Sequence, residues 1–125
     1  MDLSNKDLRS EFYTKGSLKR VDFTNSNLSG ISLFGADLSG AKFVGADLSN
    51  ANVGQANLTE ADLTQANAAG AIMSGARFGK AVITGADFSG VIIRKDVLDI
   101  VCALPSATGT NEKTGVSTRE SLMCP

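Results

Sequence analysis

Residues 35–71 read "GADLSGAKFVGADLSNANVGQANLTEADLTQANAAGA". Alanine returns at every fifth position from Ala36 to Ala86, eleven times without a break. Two residues after most of these alanines stands a large apolar side chain. Followed outward, this second register runs from Leu3 through Leu8, Tyr13, Leu18 and Phe23 to Phe88 and Ile93, 19 units with no slip of phase.

A period of five fits neither regular secondary structure. On a helix, five residues turn about 500°, which smears the apolar positions around the axis. On a strand, whose period is two, alternate apolar positions would face opposite sides. A chain that turns a corner every five residues keeps each of them inward. Four corners close a coil of 20 residues, and coils stack at the strand spacing of roughly 4.8 Å. Alanine suits the slot where backbone crowds the interior, and the large residue fills the axis. Asp, Asn, Ser, Thr and Gly at the other positions serve the turns. Gly and Asn tolerate positive φ, and Asx or Ser/Thr side chains bond nearby amides. One inner column then holds Leu8, Leu28, Leu48, Ala68 and Phe88, in which the small Ala68 is compensated by Phe88. Another sets Phe23 beside Phe43.

The units "ADLSG", "ADLSN", "ANLTE", "ADLTQ" and "ADFSG" resemble the pentapeptide-repeat family, whose motif is A(D/N)LXX. The likeness covers residues 1–93, three quarters of the chain. It implies an all-β solenoid, a right-handed quadrilateral β-helix.

Residues 11–20, "EFYTKGSLKR", depart from the pattern. Glu11 and Gly16 replace the alanine, and Phe12 takes an outward place. They form either an irregular first coil or a helical cap, and the preserved phase of Leu8, Leu18 and Phe23 favours the coil. The other end needs a stopper, because an open coil exposes unpaired backbone groups. Residues 94–125 supply it as a short α-helical cap. In "RKDVLDIVCALP", Asp96 is placed to cap a helix whose apolar face is Val97, Ile100, Val101 and Leu104, with Pro105 ending it. Ser117 and Glu120 form a capping-box pattern before a second helix. Ile72, Val82 and Ile92 break the polar outer surface. The expectation is that this tail folds back over them.

Both cysteines, Cys102 and Cys124, lie in the tail, one in each expected helix. They are either two free buried thiols or a staple worth about 3–4 kcal/mol, and their placement at the terminus favours the disulfide. A redox switch is a variant of the staple. Two cysteines without histidine leave too few ligands for a metal. A β-helix with such a tail resembles the lumenal pentapeptide-repeat proteins of plant thylakoids. That resemblance implies a chloroplast thylakoid-lumen protein whose targeting peptide has been removed; "MDLSNKDLRS" itself is too polar for a signal peptide.

The chemistry of catalysis is missing. There is no histidine, so Ser-His-Asp and Cys-His machinery is excluded within the chain. Gly30, Gly35, Gly40 and Gly45 are repeat punctuation and no phosphate-binding loop. No cofactor is expected. Twelve basic and 13 acidic residues, spread without blocks, point to neither nucleic acid nor an anionic membrane as partner, and no apolar run suits a bilayer. Asp7, Asn27, Asp47, Asn67 and Asp87 should stack as one outward ladder, a candidate face for binding another protein. A non-enzymatic structural or protein-binding monomer follows. The alternative is a DNA-mimicking inhibitor of a topoisomerase, but a net charge of −1, with Lys42, Arg77 and Lys80 interrupting the rod, is far from the charge density of duplex DNA. Ice binding through flat Ser/Thr columns fits still less, since Val44 precedes Thr64 and Thr84.

The stacking carries its own test. Each inward Leu contributes about 1.5–3 kcal/mol, and a buried carboxylate in the same slot reverses that. Leu48→Asp is expected to abolish folding; a soluble variant that still melts cooperatively by circular dichroism would refute the coil.

Overall fold

The computed structural model describes residues 1–125. The chain winds as a β-helix. Parallel bridges join residues 20 apart in four ladders. The first holds Asp2, Asp22, Lys42, Asp62 and Val82; the second Asp7, Asn27, Asp47, Asn67 and Asp87. The third holds Ser32, Asn52, Ile72 and Ile92; the fourth Ser17, Asp37, Asn57 and Arg77. Each ladder residue is a single bridged position between corners, so no long strand forms. Of 75 backbone–backbone hydrogen bonds, 71 lie outside regular helix or strand, which places the framework of the fold between coils and across corners.

At every corner from Gly16 onward the amide of the alanine-slot residue donates to the carbonyl three residues back, as Ala36 does to Leu33 at 3.1 Å. The residue before it takes positive φ, the requirement of a type II turn. Glycine meets this freely at Gly30, Gly35, Gly40 and Gly45. Other corners use Asn, as anticipated, but Lys15, Arg20, Gln55, Glu60, Gln65 and Lys80 hold the same conformation. Each of those costs about 1–2 kcal/mol and is imposed by the ladders on either side.

The inside is as the period requires. All eleven alanines from Ala36 to Ala86 are buried, as are the large centres from Leu18 to Phe88. Phe23 and Phe43 stack with centroids 5.0 Å apart, and Tyr13 meets Phe23 edge-on. Residues 11–20 are an irregular coil with no helix: no bridge joins Phe12 to Ser32, and Phe12 is 87% exposed. The Lys15 amide still reaches the Phe34 carbonyl at 2.7 Å, which restores the register.

At the C-terminal end, α1 (Lys95–Cys102) crosses the last coil and α2 (Thr118–Leu122) follows a loop. Four details differ from the sequence reading. Arg94, not Asp96, is the N-cap of α1, and Asp96 accepts from the Val97 amide within the first turn. The helix ends at Cys102, before Pro105 is reached, and Ile100 is 56% exposed while Val101 is buried. Cys124 lies beyond α2, whose last residue is Leu122. The tail does not cover all of the apolar outer positions: Val82 remains 39% and Ile92 55% exposed, while Ile72, between Asn52 and Ile92 in its ladder, is half-buried. Ser117 does cap α2, accepting from the Glu120 amide. Cys102 and Cys124 form a disulfide.

The tail is tied down by polar groups that stand in for the missing next coil. Ser106 Oγ accepts from the Ile83 amide at 3.0 Å, the Thr108 carbonyl from the Gly85 amide at 2.9 Å, and Ser121 Oγ from the Phe88 amide at 3.0 Å. Gly85 allows this close approach; a Cβ there would meet the Gln65 side chain and the Thr110 carbonyl. Asn111, 1% exposed, donates from Nδ2 to the carbonyls of Gln65, Ala66 and Gly85. Its Oδ1 accepts from the Lys113 and Thr114 amides.

Asn111→Ala leaves these buried groups unpaired, a loss of about 1–3 kcal/mol. Chemical denaturation should show a lower midpoint with the core intact; an unchanged midpoint would mean the tail is held elsewhere.

Candidate interaction surface

The ladder residues face outward, but their side chains turn back onto the chain. The Oδ1 of Asp47 accepts from both the amide and the hydroxyl of Ser49, at 2.9 and 2.6 Å. Asp22, Asp37, Asp62 and Asp87 do the same with a Ser or Thr two residues on. Asn27, Asn52, Asn57 and Asn67 accept from the amide alone. These are Asx turns, which hold each side chain in one place. Asp7 differs: Arg9 covers its carboxylate through two side-chain bonds of 2.8 and 2.7 Å.

The hydrogen bonds set the charge state. The Arg9 bond holds the Asp7 carboxyl down to about 2. Hydroxyl bonds from Ser4, Thr24 and Ser39 lower Asp2, Asp22 and Asp37. At Asp87 burial pushes the carboxyl up, and bonds from Ser89 and the Thr114 hydroxyl more than offset it.

The proposed second ladder is continuous in register from Asp7 to Asp87, but it is not one open face. Asp87 is 3% exposed, beneath the tail. The physical reason is the Ser121 bond to the Phe88 amide, which draws α2 over this end of the ladder. Asp7, Asn27, Asp47 and Asn67 remain accessible to differing degrees. Sequence reasoning missed Asn111 and Gln65 as anchors of the tail; Gln65 donates to the Thr110 carbonyl and accepts from the Glu112 amide. Nothing in the five-residue pattern separates Gln65 from other outward polar residues.

Two hollows mark the surface. One, of about 370 Å³, is a polar corner between Lys19, Arg20 and Glu60. The other, of about 490 Å³, lies between the last step of the fourth ladder and α1, against Phe78, Val97 and Ile100. No group of three His, Cys, Asp or Glu side chains is gathered to hold a metal. No helix is long and apolar enough to cross a membrane.

The family profile described as pentapeptide repeats (8 copies) matches residues 17–55 and again 56–94. The chain belongs to the pentapeptide-repeat family. Among solved structures, it is similar to a pentapeptide-repeat protein from Nostoc Pcc 7120, with 28% identity, 74% of this chain and 84% of that one covered, and a TM-score of 0.61. A pentapeptide-repeat protein (Rfr23) from the cyanobacterium Cyanothece 51142 gives 28% identity, 64% and 61% coverage and a TM-score of 0.56. A pentapeptide-repeat protein from the Arabidopsis thaliana thylakoid lumen gives 36% identity, 97% and 90% coverage and a TM-score of 0.49. No functionally curated protein shows significant similarity to the chain.

Because these carboxyls titrate lower in the folded chain than in the unfolded one, their contribution is present above the unfolded value of ~3.9. It disappears as pH falls through the lower folded values, reaching about 2 at Asp7. The melting temperature should hold steady from neutral pH to about pH 5, then fall between about pH 4 and pH 2. An unchanged melting temperature at pH 2 would refute the coupling.

Proposed function

We propose that this chain is a non-enzymatic binding scaffold of the thylakoid lumen, which presents the flat faces of its β-helix to another protein. The observation that carries this reading is the pinning of the ladder side chains. Each Asp or Asn is oriented by its own Asx turn before any partner arrives, so little side-chain entropy remains to be lost on binding. The faces are rigid, polar and repeated every coil, and an interface of this kind gains specificity from placed charges.

In the finer form of the proposal the coil is quadrilateral and right-handed, in keeping with the hand preferred by parallel crossover connections. The lumenal placement is supported by the disulfide between Cys102 and Cys124, which belongs in an oxidising compartment, and by the resemblance of the two-cysteine tail. Redox sensitivity is part of the same proposal. The disulfide ties α1 to the chain end, and Arg119 reinforces it by donating to the carbonyls of Cys102 and Pro125. Reduction would loosen the tail that lies over Asp87. The mixed charge of the ladders, with Lys42 and Arg77 among the acidic residues, supports a protein partner over a topoisomerase deceived by DNA mimicry.

The test is affinity capture from a thylakoid-lumen extract, with oxidised and reduced protein as separate baits. Asp7→Asn/Asp47→Asn serves as a third bait, since Asn27 and Asn67 show that asparagine fills the same turn. A protein held by the wild type and weakened on the variant is the expected result. A partner held by one redox form alone would assign binding to the tail. Equal retention on the variant, or no partner at all, overturns the ladder reading.

A further inference from the structure

The tail closes the last coil unevenly. It satisfies the end of the first ladder through Ser106 and Thr108, and at the second it meets the Phe88 amide alone, through Ser121. At the end of the fourth ladder the chain turns away into α1 instead. Every earlier step of that ladder follows one scheme: the Arg77 amide donates to Ala56, Leu58 to the Arg77 carbonyl, and Glu60 to the Gly79 carbonyl, at 3.0, 2.7 and 2.8 Å. One coil further on, the corresponding groups are the Ala76 carbonyl and the Phe78 and Lys80 amides. None has a backbone partner within the chain. Ala76 and Phe78 line the hollow of about 490 Å³ whose other wall is Val97 and the exposed Ile100 of α1, and Lys80 follows at the corner beyond Gly79.

We infer that this groove takes an extended acidic peptide segment of a partner protein, added as one further strand on the fourth ladder. The inference rests on the reading of the chain as a binding scaffold. The backbone defines the pairing. One residue of the segment donates to the Ala76 carbonyl and accepts from the Phe78 amide, and the residue two further on accepts from Lys80, as in strand addition at a sheet edge. The residue between them turns inward, over Phe78 and between Val97 and Ile100, and is therefore aliphatic.

Charge decides what stands at the outward position. Arg77 lines the coil side of the groove and Lys80 stands at the corner just beyond it; both are exposed and belong to no ion pair. Asp96 on the helix side is already engaged, 3.5 Å from Arg94 and accepting from the Val97 amide. An acidic side chain over Arg77 completes the set. The same charges argue against a second copy stacking by its first coil, which would bring Lys15, Lys19 and Arg20 toward Arg77 and Lys80. The segment that satisfies these requirements reads small–acidic–aliphatic–polar. The chain itself carries that order at Ala36–Ser39, on the same ladder two coils below.

A fluorescent decapeptide with the sequence of residues 32–41, SLFGADLSGA, is the probe, titrated against the full chain by anisotropy. Saturable binding is expected. It should weaken about tenfold or more with Arg77→Glu/Lys80→Glu, and similarly with Ile100→Asp, since loss of a groove contact acts on dissociation. These positions are exposed, so thermal melts should be unchanged. A peptide with Asp37→Lys should bind the wild type poorly and recover on Arg77→Glu/Lys80→Glu. Absence of saturable binding, equal affinity for all variants, or failure of the charge swap would overturn the inference. Capture of a lumenal partner that is insensitive to Ile100→Asp would sink the groove and leave the ladder faces as the binding site.

Discussion

The amides of Leu28, Leu48 and Ala68 reach the carbonyls of Asp47, Asn67 and Asp87 in the next coil, at 2.7 to 2.8 Å. These bonds run between coils, use no side chain, and recur on every face. Each contributes only about 0.5–1.5 kcal/mol net, yet together they dictate everything else. They hold the corners in the left-handed region, even where the residue is Lys or Glu. They fix which side chain points inward, and so make the five-residue spacing unavoidable. The corner strain of about 1–2 kcal/mol is offset in each unit by one buried Leu or Phe, about 1.5–3 kcal/mol. An interior without large centres would leave the corners uncompensated, which is why Ala68 stands next to Phe88 and not next to another alanine.

The ladder side chains serve the turns first. The hydroxyl bonds of Asp22 and Asp37 also hold their carboxyls down, so the outer faces carry placed charge as a by-product of corner formation. A protein-binding role needs no additional machinery beyond this. It also explains why individual Asp residues cannot be sorted into structural and functional classes by sequence: Asp47 and Asp87 make the same two bonds to the following serine, and only the tail separates their exposure.

Much of the solenoid was legible because its period is incompatible with helix and strand alike. The columns, the Phe23–Phe43 neighbours and the buried alanines followed from phase alone. The corners were legible where Gly or Asn occupies them and hidden at Arg20, Glu60 and Lys80, whose conformation comes from the ladders and not from intrinsic preference. The tail was legible in composition but not in docking. Ile72, Val82 and Ile92 suggested a hydrophobic cover, whereas the tail is positioned by Ser106, Asn111 and Ser121. These small polar side chains imitate backbone acceptors and donors, and no periodicity points from them to Ile83, Ala66 or Phe88. The displacement of Cys124 beyond α2 has a similar origin, since Met123 takes positive φ and ends the helix there.

Ladders that close only at an offset of 20 residues make the length of this chain a stepped quantity. Removing five residues from the middle would keep every side chain inward or outward as before, yet rotate everything beyond by a quarter turn. The tail would keep its partners, because Gln65, Ala66 and Gly85 belong to the last two coils and turn with it; what changes is the angle between the tail and the first coil. Only the loss or gain of a whole coil returns both ends to the same relative orientation. A partner that touched both ends of this solenoid would therefore tolerate changes of its length only in twenties.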